Sequence, residues 1–176
     1  RYALALSLLR EGAYKESEKI FESLLKQNEL IPYFIGLARS KFGQQLLEES
    51  ISIYKKSLKL FPNDYSLTYY LSTTLIAAKK PLQALKILQT YLGTNKNATP
   101  LYFPAAQAAS DSGRQALSYR FLAEYAFGNG QYKNSLQYIN TALKATPKGS
   151  NQAAAHLARK REIEKQMSDS LGVLRQ

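Results

Sequence analysis

Residues 12–25 read GAYKESEKIFESLL, 44–62 QQLLEESISIYKKSLKLFP, 79–92 KKPLQALKILQTYL and 113–127 GRQALSYRFLAEYAF. In each stretch a turn and a few polar residues precede one small residue. Apolar side chains follow it four and seven or eight positions later, the spacing that puts them on one face of an α-helix. The small residues are Ser17, Ser50, Ala84 and Ser118, at intervals of 33, 34 and 34. A period in the thirties belongs to stacked helix-turn-helix pairs, each of which buries its apolar face against the next. The small residue belongs where two helices come closest, because a larger side chain would push the backbones apart. The expected fold is all-α, a solenoid of about ten antiparallel helices. Such arrays act through a binding surface.

Composition agrees. Of the 176 residues 45% are apolar, enough for the core of one compact domain or one short solenoid. The 9 Gly and 6 Pro fall mostly between the periodic runs, as helix-to-helix turns require. No alternating strand pattern is sustained, and no apolar run approaches the roughly 18 residues of a membrane span. The lack of Cys excludes disulfides and thiolate chemistry and suits an oxidising compartment. Because the chain opens at Arg1 within a helical pattern, it is expected to be a fragment, preceded by a signal peptide or a further domain.

The residue choices resemble the tetratricopeptide repeat. That family places a small residue at its eighth position, Gly at the fifteenth, an aromatic at the seventeenth and Ala at the twentieth. Ala5, Gly12, Tyr14, Ser17, Phe21 and Leu24 follow this pattern, with Glu29 where the family has Pro. Ala38, Gln45, Leu47, Ser50, Tyr54, Ser57 and Pro62 repeat it, as do Ser72, Lys79, Pro81, Ala84, Leu88 and Tyr91. Gln107, Gly113, Ser118 and Leu122 make a fourth, partial match. A fifth (Gly130, Tyr132, Ser135, Ile139, Ala142, Pro147) comes early, since Ser135 follows Ser118 by only 17 residues. The helix over roughly 115–127 must then close the fourth pair and open the fifth, a half-repeat shift near residues 115–130. Residues 1–147 are expected to form the array of about four to five repeats. Residues 148–176 are expected to supply a capping helix, from about Asn151 to Met167, and a tail.

The segment Ala123-Glu124-Tyr125-Ala126-Phe127, followed by Gly130 and Tyr132, is similar to the AEYxFxxGxY segment of one bacterial family. This is the C-terminal repeat domain of the BepA-type periplasmic HExxH zinc metalloproteases, and stretches 1–25 and 63–92 extend the likeness over nearly the whole chain. The resemblance implies a periplasmic interaction module, docking a protease on the outer-membrane assembly machinery or its clients. Zinc would then sit in an upstream protease domain. No cofactor or metal is expected in this chain: HExxH needs two His one helical turn apart, and only His156 is present. That His, on a charged helix, is read as solvated surface. With one His and no Cys, no catalytic dyad or triad can be built, so the chain by itself is not expected to be an enzyme. The alternative is a stand-alone repeat scaffold or assembly factor of the cell envelope, with no protease domain.

Peptide capture is the chemistry that remains. The first helix of each pair lines the concave face of such arrays, and its inward positions here begin with Tyr2, Leu6 and Leu9. They continue with Ile35, Arg39 and Phe42, then Tyr69, Tyr70, Thr73 and Ile76, and finally Phe103 and Gln107. With 13 Tyr and no Trp, such a groove offers rigid contact area with hydroxyls left for a peptide backbone. Tyr14, Phe21, Tyr54 and Tyr91 lie on second helices and are read as filling between helices. A clamp for a C-terminal carboxylate would need Lys, Asn and Arg at successive inward positions. Ile35, Tyr69 and Thr73 stand there instead, with only Arg39 of suitable type, so an extended or partly folded apolar segment is the expected ligand. The half-repeat shift suggests a second pocket at Phe121, Glu124 and Tyr125.

The net charge of +11 is spread along the chain rather than gathered on one element, which makes nucleic acid an unexpected partner. Only Arg159, Lys160, Arg161 and Lys165 form a local basic cap, interrupted by Glu162 and Glu164. That cap reads as a solvated end, or as a footprint for an acidic partner or an anionic membrane surface.

Overall fold

The computed structural model describes residues 1–173, with side-chain environments through Ser170; the last three residues of the expected tail lie outside the described residues. Among these there are ten helices and no strand. They are α1 (Tyr2–Glu11), α2 (Tyr14–Leu25), α3 (Ile31–Gly43), α4 (Leu47–Leu60), α5 (Tyr65–Ala77), α6 (Pro81–Thr94), α7 (Thr99–Asp111), α8 (Gln115–Gly128), α9 (Tyr132–Lys144) and α10 (Asn151–Val173). The chain divides into two compact units, Arg1–Lys80 and the residues from Pro81 onward.

One turn recurs. One or two positions past the first helix of a pair a residue is left-handed, at Gly12 (φ 82°), Gln45 (65°), Lys79 (57°), Gly113 (76°) and Gly130 (73°). The amide that follows it reaches back five residues to close the helix. Ala13 N–H donates to the Leu8 carbonyl at 2.9 Å, Leu46 to Lys41 at 3.0 Å and Lys80 to Leu75 at 2.8 Å; Arg114 to Ala109 and Gln131 to Ala126 are also 2.8 Å. Gly enters this conformation freely, whereas a side chain there costs about 1–2 kcal/mol. Gln45 and Lys79 bear that cost where the repeat pattern calls for Gly.

In the first unit each helix packs on the next, and α3 also touches α1 and α5 directly. Phe21, fully buried, lies on the bare backbone of Gly36, where a Cβ would run into its ring. Around it gather Ala5, Leu24, Leu6, Ile20, Tyr33 and Leu37. The small residue of the repeat does more than make room. Ser17 Oγ donates to the Ala5 carbonyl, twelve residues back on the partner helix, at 2.9 Å.

The same bond in the second unit reveals the half-repeat shift. Ser118 Oγ donates to the Ala106 carbonyl at 2.8 Å, and Ser135 Oγ to the Ala123 carbonyl at 2.8 Å. Helix α8 therefore supplies the serine toward α7 and the carbonyl toward α9. It is the second helix of one pair and the first of the next. On α10 the stripe Ala153, His156 and Ile163 is buried, with Ile163 completely enclosed beside Ala123 and Ile139.

Candidate functional site

Within the first unit, Leu9, Tyr14, Arg39, Phe42, Gly43, Tyr54, Tyr69, Tyr70, Thr73 and Thr74 surround a cavity of about 360 Å³. Helix α5 supplies four of these residues and α3 three. Helical spacing explains the set: Tyr69, Tyr70, Thr73 and Thr74 lie within five positions of one another and so share one face of α5. Tyr54 and Tyr70 stack with ring centroids 6.2 Å apart and planes within 6°, and Tyr69 meets Tyr70 edge-on at 5.4 Å. The Arg39 guanidinium lies 5.6 Å from the Tyr70 ring centre, a cation–π distance. Burial pushes the Tyr54 phenol well above its ordinary pKa, against the opposing pull of Arg39. It stays neutral and able to donate a hydrogen bond. Thr73 Oγ1 already bonds the Tyr69 and Tyr70 carbonyls, and Thr74 Oγ1 the Tyr70 carbonyl.

The two cations of α3 differ. Lys41 bridges Glu18 at 2.7 Å and Glu49 at 2.8 Å. Burial alone would raise the Glu18 pKa, but hydrogen bonds from Lys41 and Gln44 outweigh it and leave the carboxyl below its usual range. Among the described residues Arg39 has no carboxylate partner, and it is exposed. A second cavity of this unit, about 460 Å³, is walled by Glu22, Lys26, Glu29 and Lys56 with Leu25, Phe34, Leu37 and Ile53. Its two acids and two bases balance, so it offers no net charge to a ligand.

Six expected groove residues thus meet at one site: Leu9, Arg39, Phe42, Tyr69, Tyr70 and Thr73. Ile35 is half-buried and outside the cavity lining, and Ile76 is buried in the core. Tyr14 and Tyr54 line the cavity too, although the sequence reading confined them to filling between helices; Tyr54 is 1% exposed and does both. Gly43 was not singled out. A Cβ there would strike the Tyr14 ring, so the bare glycine lets that ring stand at the cavity edge.

In the second unit Phe103 is 55% exposed and leans on Tyr125 at 5.6 Å, and Gln107 is exposed. Phe121 is buried against Tyr102, whose hydroxyl donates to the Lys96 carbonyl at 3.0 Å. Glu124 is held by two arginines. Arg120 pairs with it from one turn earlier on α8, and Arg159 of α10 donates through Nε at 3.0 Å and Nη2 at 2.6 Å. Arg159 also bonds Glu162 at 2.6 Å and lies 4.2 Å from the Phe127 ring centre. Within the expected basic cap, then, Arg159 is a structural tie, and Lys160 sits 3.7 Å from Glu164. Arg161 and Lys165 are exposed.

His156 is corrected by the structure. It is buried at 3% exposure, not solvated, and neither ring nitrogen has a hydrogen-bond partner among the described residues. The α10 stripe turns it inward because it follows Ala153 by three residues. Burial, and then the charge of Arg120, hold its pKa below the ordinary value. The Arg120 guanidinium is likewise lowered, by burial first and Arg159 second. Among the described residues no group of His, Cys, Asp and Glu could hold a metal ion, and no helix is long and apolar enough to cross a membrane.

No protein-family model and no curated protein sequence matches the chain. Solved structures do. A MamA fragment, residues 41 to the end, from Desulfovibrio magneticus RS-1 superposes with a TM-score of 0.65 at 14% identity, covering 93% of either chain. The thermophilic TPR protein TTC0263 of Thermus thermophilus gives 0.55 at 20% identity, over 89% of this chain and 95% of that one. YrrB, described as a TPR protein with an unusual peptide-binding site, gives 0.50 at 16% identity over 88% of both. The fold is that of tetratricopeptide-repeat proteins.

Proposed function

We propose that this chain is a protein-interaction module that captures an extended segment of a partner protein in the α1–α5 cavity. The observation that carries the reading is the convergence of Arg39, Phe42, Tyr54, Tyr69 and Tyr70 around one open space. Aromatic side chains give large contact area at little entropic cost, and phenolic hydroxyls satisfy the polar backbone of a bound strand. The finer reading is that the module serves a periplasmic zinc metalloprotease and docks it on outer-membrane assembly machinery or its clients. That reading rests on the likeness around Ala123–Phe127, Gly130 and Tyr132. A stand-alone envelope scaffold fits the fold equally, and the intact mass and zinc content of the native protein separate the two. A polypeptide more than twice this size with about one zinc favours the protease, and a metal-free protein near 19.8 kDa favours the scaffold.

The docking site is tested by the Tyr69→Ala/Tyr70→Ala double variant, assayed by photo-crosslinking from position 73 in the cell envelope. Partner capture is expected to fall at least about tenfold, the effect of losing two aromatic anchors, with helical circular dichroism unchanged. Capture at the level of the unaltered chain would place binding elsewhere.

A further inference from the structure

The polar groups of the α1–α5 cavity also say what its occupant carries, given the docking reading above. Arg39 is the one cation in the lining, and no carboxylate of the described residues meets it. Two positions on, Lys41 is fully engaged by Glu18 and Glu49, so unpaired charge is not the habit of this helix. Thr73 and Thr74 have spent their hydroxyl protons on α5 carbonyls. The donors left for a ligand are the guanidinium and the tyrosine hydroxyls. A guanidinium fork beside aromatic rings matches one carboxylate bidentately. Residues 1–80 carry 12 basic against 8 acidic side chains, a field that also favours an acidic ligand.

We infer that the cavity binds an extended segment in which an Asp or Glu side chain sits beside an aromatic or branched apolar residue, its carboxylate paired with Arg39. The carboxylate is a side chain's rather than a chain terminus's. Capture of a terminus would need Lys, Asn and Arg side chains converging at successive inward positions, and in this lining Arg39 has no Lys or Asn beside it; the wall amides are consumed by the helices themselves.

Three pools of fluorescent heptapeptides with Phe next to the central position test this on the full chain by anisotropy. The first has central Glu with blocked ends, the second central Gln with blocked ends, and the third central Gln with a free C-terminal carboxylate. The Glu pool is expected to bind about tenfold more tightly than the blocked Gln pool, the gain of one charge-assisted pair. That margin should vanish in Arg39→Gln, persist in part in Arg39→Lys, and shrink with salt. Equal binding of the Glu and blocked Gln pools, or a margin that survives Arg39→Gln, overturns the carboxylate assignment while leaving the docking site standing. Preference for the free-terminus pool overturns the side-chain source. Self-association in sedimentation that Arg39→Gln abolishes would assign the face to a second copy of this chain instead. Binding of none of the pools overturns the docking reading itself, and this inference with it.

Discussion

Each unit of this protein places an arginine over an aromatic ring, and the two arginines differ in everything else. Arg159 sits 4.2 Å from the Phe127 ring centre with its donors spent on Glu124 and Glu162, and so ties α10 to α8. Arg39 sits 5.6 Å from the Tyr70 ring centre, exposed and without a carboxylate, at the mouth of a cavity. A buried or half-buried charge persists in a fold when it is paired, and an unpaired one beside an open apolar space is available to a ligand. Arg159 is a tie between helices of the second unit; Arg39 makes no such tie in the first.

The largest expected effect tests whether α10 is held by its core contact. Ile163→Ala should cost about 2–5 kcal/mol, because a completely enclosed side chain is removed from between α9 and α8. Hydrogen exchange should speed along α10 and leave protection in α1–α5 unchanged. Next comes the arginine comparison itself. Arg159→Gln should destabilise by about 1–3 kcal/mol, since Glu124 keeps only Arg120, whereas Arg39→Gln should change stability by no more than about 0.5 kcal/mol. Equal losses in thermal denaturation would erase the distinction between a tie and a free recognition group.

Acid should act on the second unit through His156. Its pKa in the folded chain lies below the ordinary 6.5, first through burial and then through Arg120. The unfolded chain takes up this proton first, so stability is complete above about pH 6.5 and declines as pH falls below it. Melting temperatures recorded between neutrality and about pH 5.5 should show that decline, and His156→Leu should flatten it. The smallest effects concern two serines of one repeat position. Ser17→Ala should cost about 0.5–1.5 kcal/mol for the lost bond to Ala5. Ser50 Oγ is buried with no hydrogen-bond partner among the described residues, so Ser50→Ala should be neutral or stabilising in urea titration.

Much of this was legible in the residues. The interval between Ser118 and Ser135 is half a repeat, and the twin bonds from those serines to Ala106 and Ala123 are its physical form. The inward positions on α3 and α5 were legible because helical period alone groups Arg39 with Phe42 and Tyr69 with Tyr70 and Thr73. Tyr54 was read as core because a second-helix aromatic has neighbours on both sides, and only packing shows that one edge of it borders the cavity. His156 was misread for a related reason: α10 carries seven charged residues from Arg159 to Asp169, and a three-residue stripe is easily lost beside them.

By itself the sequence determined the local order of this protein: ten helices, their left-handed turns, the register of small residues and the helix shared between two pairs. These follow from period, turn chemistry and side-chain size, all of which act within a few residues along the chain. Only the tertiary structure decided which charges are satisfied. Glu124 reaches Arg159 across 35 residues, Lys41 reaches Glu18 across 23, and Arg39 reaches no carboxylate among the described residues. Pairing at such separations depends on how helices come to lie side by side, and no local pattern encodes it.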